Sequence, residues 1–257
     1  MSIHPTAYIS DSVTLASEVE IGPFCVLDGE ITIGKGSVLT AGVHILGKVK
    51  IGAGNRIHSH SVIGDYPQDT SFTPDICSEV IIGDHNQIRE GVTIHRGAKD
   101  GGVTRLGSHS MLMANSHLGH DSNVGDHSII ANNCMLGGHV TVGKHVFLGG
   151  GAGLHQFVKI GNYAMCQGNS SISQDLPPYC VCAGQNNLLG LNAVGLKRAG
   201  FKPQQRKEIK TLYILLFRSG KNLTEAIAEA EENRELSVEA QLLLNSVKLP
   251  SRKHVMT

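Results

Sequence analysis

Counting in sixes from Ile3 reaches Ile9, Leu15, Ile21, Leu27, Ile33, Leu39, Ile45, Ile51, Ile57 and Ile63, so eleven successive positions are all Ile or Leu. With 40% of the chain hydrophobic, eleven apolar residues in a row would arise in about one random chain in twenty thousand. Such a period is neither helical nor a simple strand alternation. It fits a short strand and a turn, repeated. Three units close one triangular coil, so residues eighteen apart lie above one another. The aliphatic residue points inward, and so does a small residue four later, as at Val13, Val19, Cys25, Ile31 and Val43. Coils stacked in parallel about 4.8 Å apart make a prism of nearly nine coils, on the order of 40 Å long.

The phase breaks across Asp65 to Val80, a stretch holding Pro67 and Pro74, and resumes at Ile82 one residue out of step. From there every sixth residue to Ile172 is apolar except Asp100, in the glycine-rich KDGGVT segment, which is expected to loop outward. After Pro177 and Pro178 the pattern fades into helices. Pro203 is placed to open one that Gly220 closes, Asn222 to cap LTEAIAEAEEN, and Ser237 to cap VEAQLLLNSV. The expected division is a β-helix over 1–190 and a helical domain over 191–257.

Composition agrees with many similar small layers. Gly numbers 31, Trp is absent and the aromatic share is 4%, whereas a large conventional core leans on aromatics. The 22 basic and 22 acidic residues balance, which gives no reason to expect nucleic acid or membrane insertion. No apolar run is long enough to span a bilayer and the first residues lack a signal-peptide pattern, so a cytoplasmic location is expected. The six Cys form no CxxC pair and read as small buried residues.

One region breaks the blandness expected of prism corners. ANSHLGHDSNVGDHSIIANNCMLGGHVTVGKHVFLGGGAGLHQF holds His117, His120, His127, His139, His145 and His155. The eighteen-residue register places His120, Gly138 and Gln156 in one column, Asp121 and His139 in the next, and His117 near the same edge. A His beside an Asp can serve as general base, with the carboxylate fixing its tautomer. The Gly138 N–H one coil up could hold an oxyanion. His127 and His145 read instead as solvated turn residues. Zinc held by three His is the competing chemistry, as in gamma-class carbonic anhydrases, but their ligand spacing is not found here in register. No metal and no cofactor is therefore expected. A non-catalytic scaffold would leave the aligned column unexplained.

Nearly the whole chain resembles the UDP-N-acetylglucosamine O-acyltransferases of lipid A biosynthesis. The resemblance is carried by Gln68–Asp69, IGDHNQIREGVTIHRG, NSHLGHD, LGGHVTVG, LHQF, QDLPPY and GLNAVGLKRAGF. It implies a left-handed parallel β-helix of hexapeptide repeats with a C-terminal α-helical domain, assembled as a homotrimer with sites between subunits. It implies transfer of a long 3-hydroxyacyl group from acyl carrier protein to the 3-position of UDP-N-acetylglucosamine, or to a UDP-3-amino sugar analogue. Carried over by position, His120 matches the general base, Asp121 its orienting carboxylate and Gly138 the oxyanion donor. Gln68, Asp69, His117, His139, His155 and Gln156 match substrate contacts, and Asn192 and Arg198 match nucleotide-side positions. Gly168 matches a position that limits acyl length, with Met165 beside it on the expected slot above His120. Ser71, Val194 and Ala199 depart from the Lys, Glu and Arg usual there. Arg206, Lys207, Lys210, Arg218 and Lys221 supply a basic surface for an acidic carrier protein.

Overall fold

The computed structural model describes residues 1–232, 236–248 and 250–257. Two- to four-residue strands wind into a left-handed coil with three flat faces, held as sheets of 11, 9 and 8 strands that are parallel except for the last strand of the first. Met111–Leu112 lies on the first face, His117–Leu118 on the second and Asn123–Val124 on the third. Each strand pairs in register with the strand one coil on, as in His117↔Met135 and Leu118↔Leu136. The aliphatic position of each hexad is the buried one. Leu112, Leu118, Ile130, Leu136 and Leu148 are fully enclosed, and burying each such side chain stabilises by about 1.5–3 kcal/mol. Only the first turns of the prism, around Ile3 and Ile9, are open to solvent.

The corners explain the choice of polar residues. The third residue after the aliphatic position adopts a left-handed backbone conformation in coil after coil: His109, Asn115, Asp121, His127, Asn133, His139 and His145 all have φ between 55° and 60°. Gly, Asn, Asp and His tolerate that conformation best. His85, His109, His127 and His145 consequently stack ring on ring up the corner between the third and first faces, with Tyr163 above them. His127 and His145 are thus exposed corner residues, as expected. Just inside that corner, the side-chain oxygens of Ser37, Asn55, Asn86, Ser110 and Ser128 each accept an N–H from the coil above.

Five cysteines are buried and reduced, and Cys77 is exposed. The prism ends in an antiparallel hairpin, Cys180–Ala183 with Asn187–Leu191, that the hexad pattern did not predict. Helices follow: α1 Ala193–Arg198, α2 Pro203–Arg218, α3 Leu223–Glu232 and α4 Val238–Lys248. Asn222 accepts from the Glu225 N–H and Ser237 from the Ala240 N–H, as caps. The expected last residue of α3, Asn233, lies outside the described residues.

Backbone conformation at the corners yields a clean stability contrast. Asn133 is exposed and has φ 56°. Asn133→Val should destabilise by about 1–2 kcal/mol and Asn133→Gly should not. Denaturant midpoints of the two variants check this.

Candidate active site

Both interruptions of the hexad phase leave the prism at the corner between its second and third faces. One runs from the strand Val62–Asp65 to Glu79–Ile82, the other from Thr93–His95 to Val103–Leu106. The Asp100 segment therefore loops outward as expected, and lengthens its coil while the third-face rung Val103–Leu106 is kept. His120 and Asp121 occupy the same corner one coil further on, so both loops wall the space beside them.

His120 is 8% exposed. Its Nδ1 stands 2.9 Å from Asp121 Oδ2, and that carboxylate oxygen also accepts the Ala98 N–H at 3.0 Å from the second loop. The Asp121 N–H donates to Thr104 Oγ1 at 2.8 Å. A carboxylate fixed from both sides makes Nδ1 the donor and leaves His120 Nε2 unprotonated. A Cβ added at Gly138 would lie 2.3 Å from that Nε2. Glycine is therefore required for the imidazole to fit, a stronger reason than the substrate access expected of it. The Gly138 N–H has no acceptor among the described residues, whereas the equivalent N–H groups of Ser108 and Lys144 are capped by Asp126 and Asn162.

His139 lies edge-on to His120 and its Nε2 is 3.8 Å from Asp121 Oδ2. Burial lowers its pKa, against a smaller raising effect of Asp121. His120, Asp121 and His139 are the group whose donor atoms all lie within 4.8 Å, the spacing a metal ion would need. The 2.9 Å contact between two of them is a hydrogen bond, so the geometry describes a base with its carboxylate.

Gln68, His117, His155 and Gln156 join His120 and Gly138 around one pocket of about 430 Å³. His117 Nδ1 is 2.8 Å from Thr93 Oγ1. Asp69 does not line this pocket; it accepts from the N–H and hydroxyl of Ser71, which hold its carboxyl below the usual range, with a smaller effect of His120 in the same direction. Gly168 and Met165 are not above His120. Met165 stands on the first face and Gly168 at the corner where the first face turns into the second, nearly three coils on. The slot expected to run up the His120 column must instead cross that face. Asn192 caps α1 through Gly195 N–H and donates to the Tyr163 carbonyl at 2.8 Å. Arg198 is exposed at the end of α1, and neither residue lines the pocket.

Sequence reading missed two contributors. His95 is 7% exposed, lines the pocket and packs edge-on against His117 at 4.9 Å. Its neighbour lies 22 residues on rather than eighteen because the loop lengthens that coil, so adding eighteen could not find it. The chain end also returns to the prism, where Lys253 Nζ lies 3.1 Å from His155 Nδ1. No period announces that contact.

The pattern describing the UDP-N-acetylglucosamine O-acyltransferase domain 2 matches residues 175–255, and that of the bacterial transferase hexapeptide matches residues 104–138. Three solved structures are similar over their full length. The UDP-N-acetylglucosamine acyltransferase of Francisella novicida is 34% identical, covering 99% of this chain and 93% of its own, with a TM-score of 0.94. LpxA of Acinetobacter baumannii is 38% identical over 98% of this chain and 99% of its own, at 0.91. The UDP-N-acetylglucosamine O-acyltransferase LpxA of Moraxella catarrhalis RH4 is 38% identical over 100% of both chains, at 0.94.

The half-buried imidazole of His117 predicts an acid-sensitive fold. Burial first, then His95 and His120, push its pKa from 6.5 to about 4. The folded state holds it neutral while the unfolded chain takes a proton near 6.5. Stability should therefore fall as pH drops through the window from 6.5 to about 4, by a total of about 3 kcal/mol. Urea titrations across that window should show a flatter profile for His117→Gln.

Proposed function

The chain belongs to the UDP-N-acetylglucosamine O-acyltransferase family, and on that premise we propose how its residues move an acyl group from a thioester to UDP-N-acetylglucosamine, the first step of lipid A biosynthesis. The observation that carries the reading is the buried His120–Asp121 pair facing the unpaired Gly138 N–H. His120 Nε2 takes the proton of the sugar's 3-hydroxyl as that oxygen attacks the thioester carbonyl carbon. The carbonyl oxygen becomes an oxyanion and accepts the Gly138 N–H. The tetrahedral intermediate collapses, the C–S bond breaks, and the imidazolium returns its proton to the leaving thiolate. Asp121 holds Nδ1–H throughout and stabilises the transient charge. No step needs a metal or cofactor.

Gln68, Asp69, His117, His139, His155 and Gln156 are proposed to hold the acceptor and the thioester. Asn192 and Arg198 are proposed for the nucleotide, and they lie off the pocket in one chain, consistent with a homotrimer whose sites are completed between subunits. The acyl donor is proposed to be an acyl carrier protein. Arg206, Lys207 and Lys210 line a groove of about 500 Å³ that suits its acidic surface. Arg218 and Lys221 are less available, because Arg218 donates to the Leu188 carbonyl and Lys221 pairs with Glu229. The division after residue 190 is proposed; it falls within the last hairpin strand, Asn187–Leu191, just before α1. Among the described residues no helix is long and apolar enough to cross a membrane, and we place the reaction in the cytoplasm.

A 3-amino acceptor would use the same base, and the departures do not select it: Ser71 holds Asp69, Val194 is exposed, and Ala199 ends α1. Comparing both acceptors under one donor decides the point. With UDP-N-acetylglucosamine and a 3-hydroxyacyl carrier protein, His120→Ala should lose about 10² to 10⁴ in kcat. Asp121→Asn should lose less. Near-normal turnover by His120→Ala would end the assignment.

Acyl length should be read at Gly168. A Cβ there would meet the Gly150 carbonyl oxygen at 3.1 Å and is otherwise unobstructed. Wild type should prefer long 3-hydroxyacyl chains, and Gly168→Met should shift the optimum shorter. A methylene is worth about 0.8 kcal/mol, so each carbon pair should change kcat/KM on the order of tenfold. Relative kcat/KM across donors of increasing length measures this.

A further inference from the structure

We propose that the C-terminal pair Arg252–Lys253 belongs to the acyl-transfer site: Lys253 holds His155 in the tautomer that carries its proton on Nε2, and the two cations form a rim that takes a substrate phosphoryl group. The proposal rests on the acyl-transfer reading above.

The tail is seated by its far end. Met256 is fully buried, its N–H donates to the Asp175 carbonyl at 2.9 Å, and the Asp175 N–H donates to the His254 carbonyl at 2.9 Å. Val255 thereby bridges to Asp175 as one more parallel rung. Asp175 is itself fixed, 7% exposed with its carboxylate on the Lys159 N–H. An anchor on the prism beyond Lys253 fixes where the two basic residues lie.

Both reach the site. Lys253 is half-buried, and its Nζ is 3.1 Å from Nδ1 of His155, a pocket residue. An ammonium has only donors to offer. His155 Nδ1 must then be the acceptor, so its proton is on Nε2. The 3.3 Å contact of the same Nδ1 with the Gln156 carbonyl cannot also be a hydrogen bond, since neither atom then carries a proton. The shorter, charge-assisted contact is the one kept. Arg252 stands over the Phe157 ring at 4.4 Å, Phe157 stacks on His139 at 4.5 Å, and His139 adjoins His120 and Asp121. The Lys253 ammonium and the His155 Nε2–H therefore stand at a pocket whose proposed ligands both carry phosphate, with Arg252 beside them over Phe157 on the neighbouring column. The acceptor has a nucleoside diphosphate, and the donor has the phosphodiester of a phosphopantetheine arm.

The test uses the full chain with Lys253→Met and the conservative Lys253→Arg. Ring ¹⁵N shifts of His155, assigned against His155→Gln, report the tautomer without any turnover. Binding and kinetics are measured with UDP-N-acetylglucosamine, with 3-hydroxyacyl-4′-phosphopantetheine and with its dephosphorylated form. Lys253→Met should release the His155 tautomer. It should raise Kd and KM about tenfold for a phosphate ligand, the value of one charge-assisted contact, with kcat changed much less. Lys253→Arg should retain most of the affinity. A rise for the UDP-sugar alone assigns the rim to the diphosphate. A rise for the phosphorylated thioester alone assigns it to the donor arm. An unchanged tautomer with unchanged binding of both overturns the proposal, as does equal weakening of the dephosphorylated thioester. Wild-type protein that binds both ligands yet transfers no acyl group would sink the functional reading and leave the rim standing.

Discussion

Parallel stacking of identical coils is the constraint on which everything else in this protein depends. Each short strand satisfies its backbone groups only by pairing with the coils below and above, and each inward Ile, Leu or Val is buried only between its counterparts eighteen residues away. No rung is stable alone. The reward is positional accuracy: a side chain's neighbours are set by register rather than by a bespoke core. A catalytic group placed at a corner inherits that accuracy from backbone ladders on both sides.

Corner conformation then filters what can stand there. The left-handed position admits His, Asn, Asp and Gly at little cost, so imidazoles and carboxylates recur for conformational reasons before any chemistry selects them. The stack of His85, His109, His127 and His145 is that effect alone. His120 differs by one residue. It occupies the position before the left-handed one, so its ring lies over the corner of the next coil, where only Gly138 leaves room. Asp121 takes the left-handed position itself and turns its carboxylate back onto His120 and the Ala98 N–H. One imidazole–carboxylate pair is thus assembled from two consecutive residues with different backbone conformations.

The two excursions from the prism convert a flat corner into a pocket. Arg96 binds them together: it is 8% exposed, reaches Gly47 two coils below, and stacks against Tyr66 and Phe72 of the first loop. His95 and His117 fill the space behind. Burial lowers the pKa of both, which favours neutral rings that offer hydrogen bonds without placing charge beside His120. Asn192, Arg198 and Gly168 stand away from this pocket, on the helical end and across the second face.

The sequence by itself determined the prism, the inward aliphatic and small positions, the outward segment at Asp100, the helix caps at Asn222 and Ser237, and the meeting of His120, Asp121, Gly138 and His139. All of these follow from local conformation and a constant period, which turn spatial neighbours into arithmetic. The tertiary structure alone decided what arithmetic cannot reach. Loops of unequal length shift the register, so His95 meets His117 across an irregular interval. Met165 and Gly168 fall away from the edge that holds His120 because face as well as height sets a position on a three-sided coil. The hairpin at Cys180–Leu191 leaves the hexad period altogether, and the tail that brings Lys253 to His155 folds back over more than ninety residues of sequence separation. Such contacts are chosen by burial of residues such as Met256 against a surface that exists only once the prism has formed.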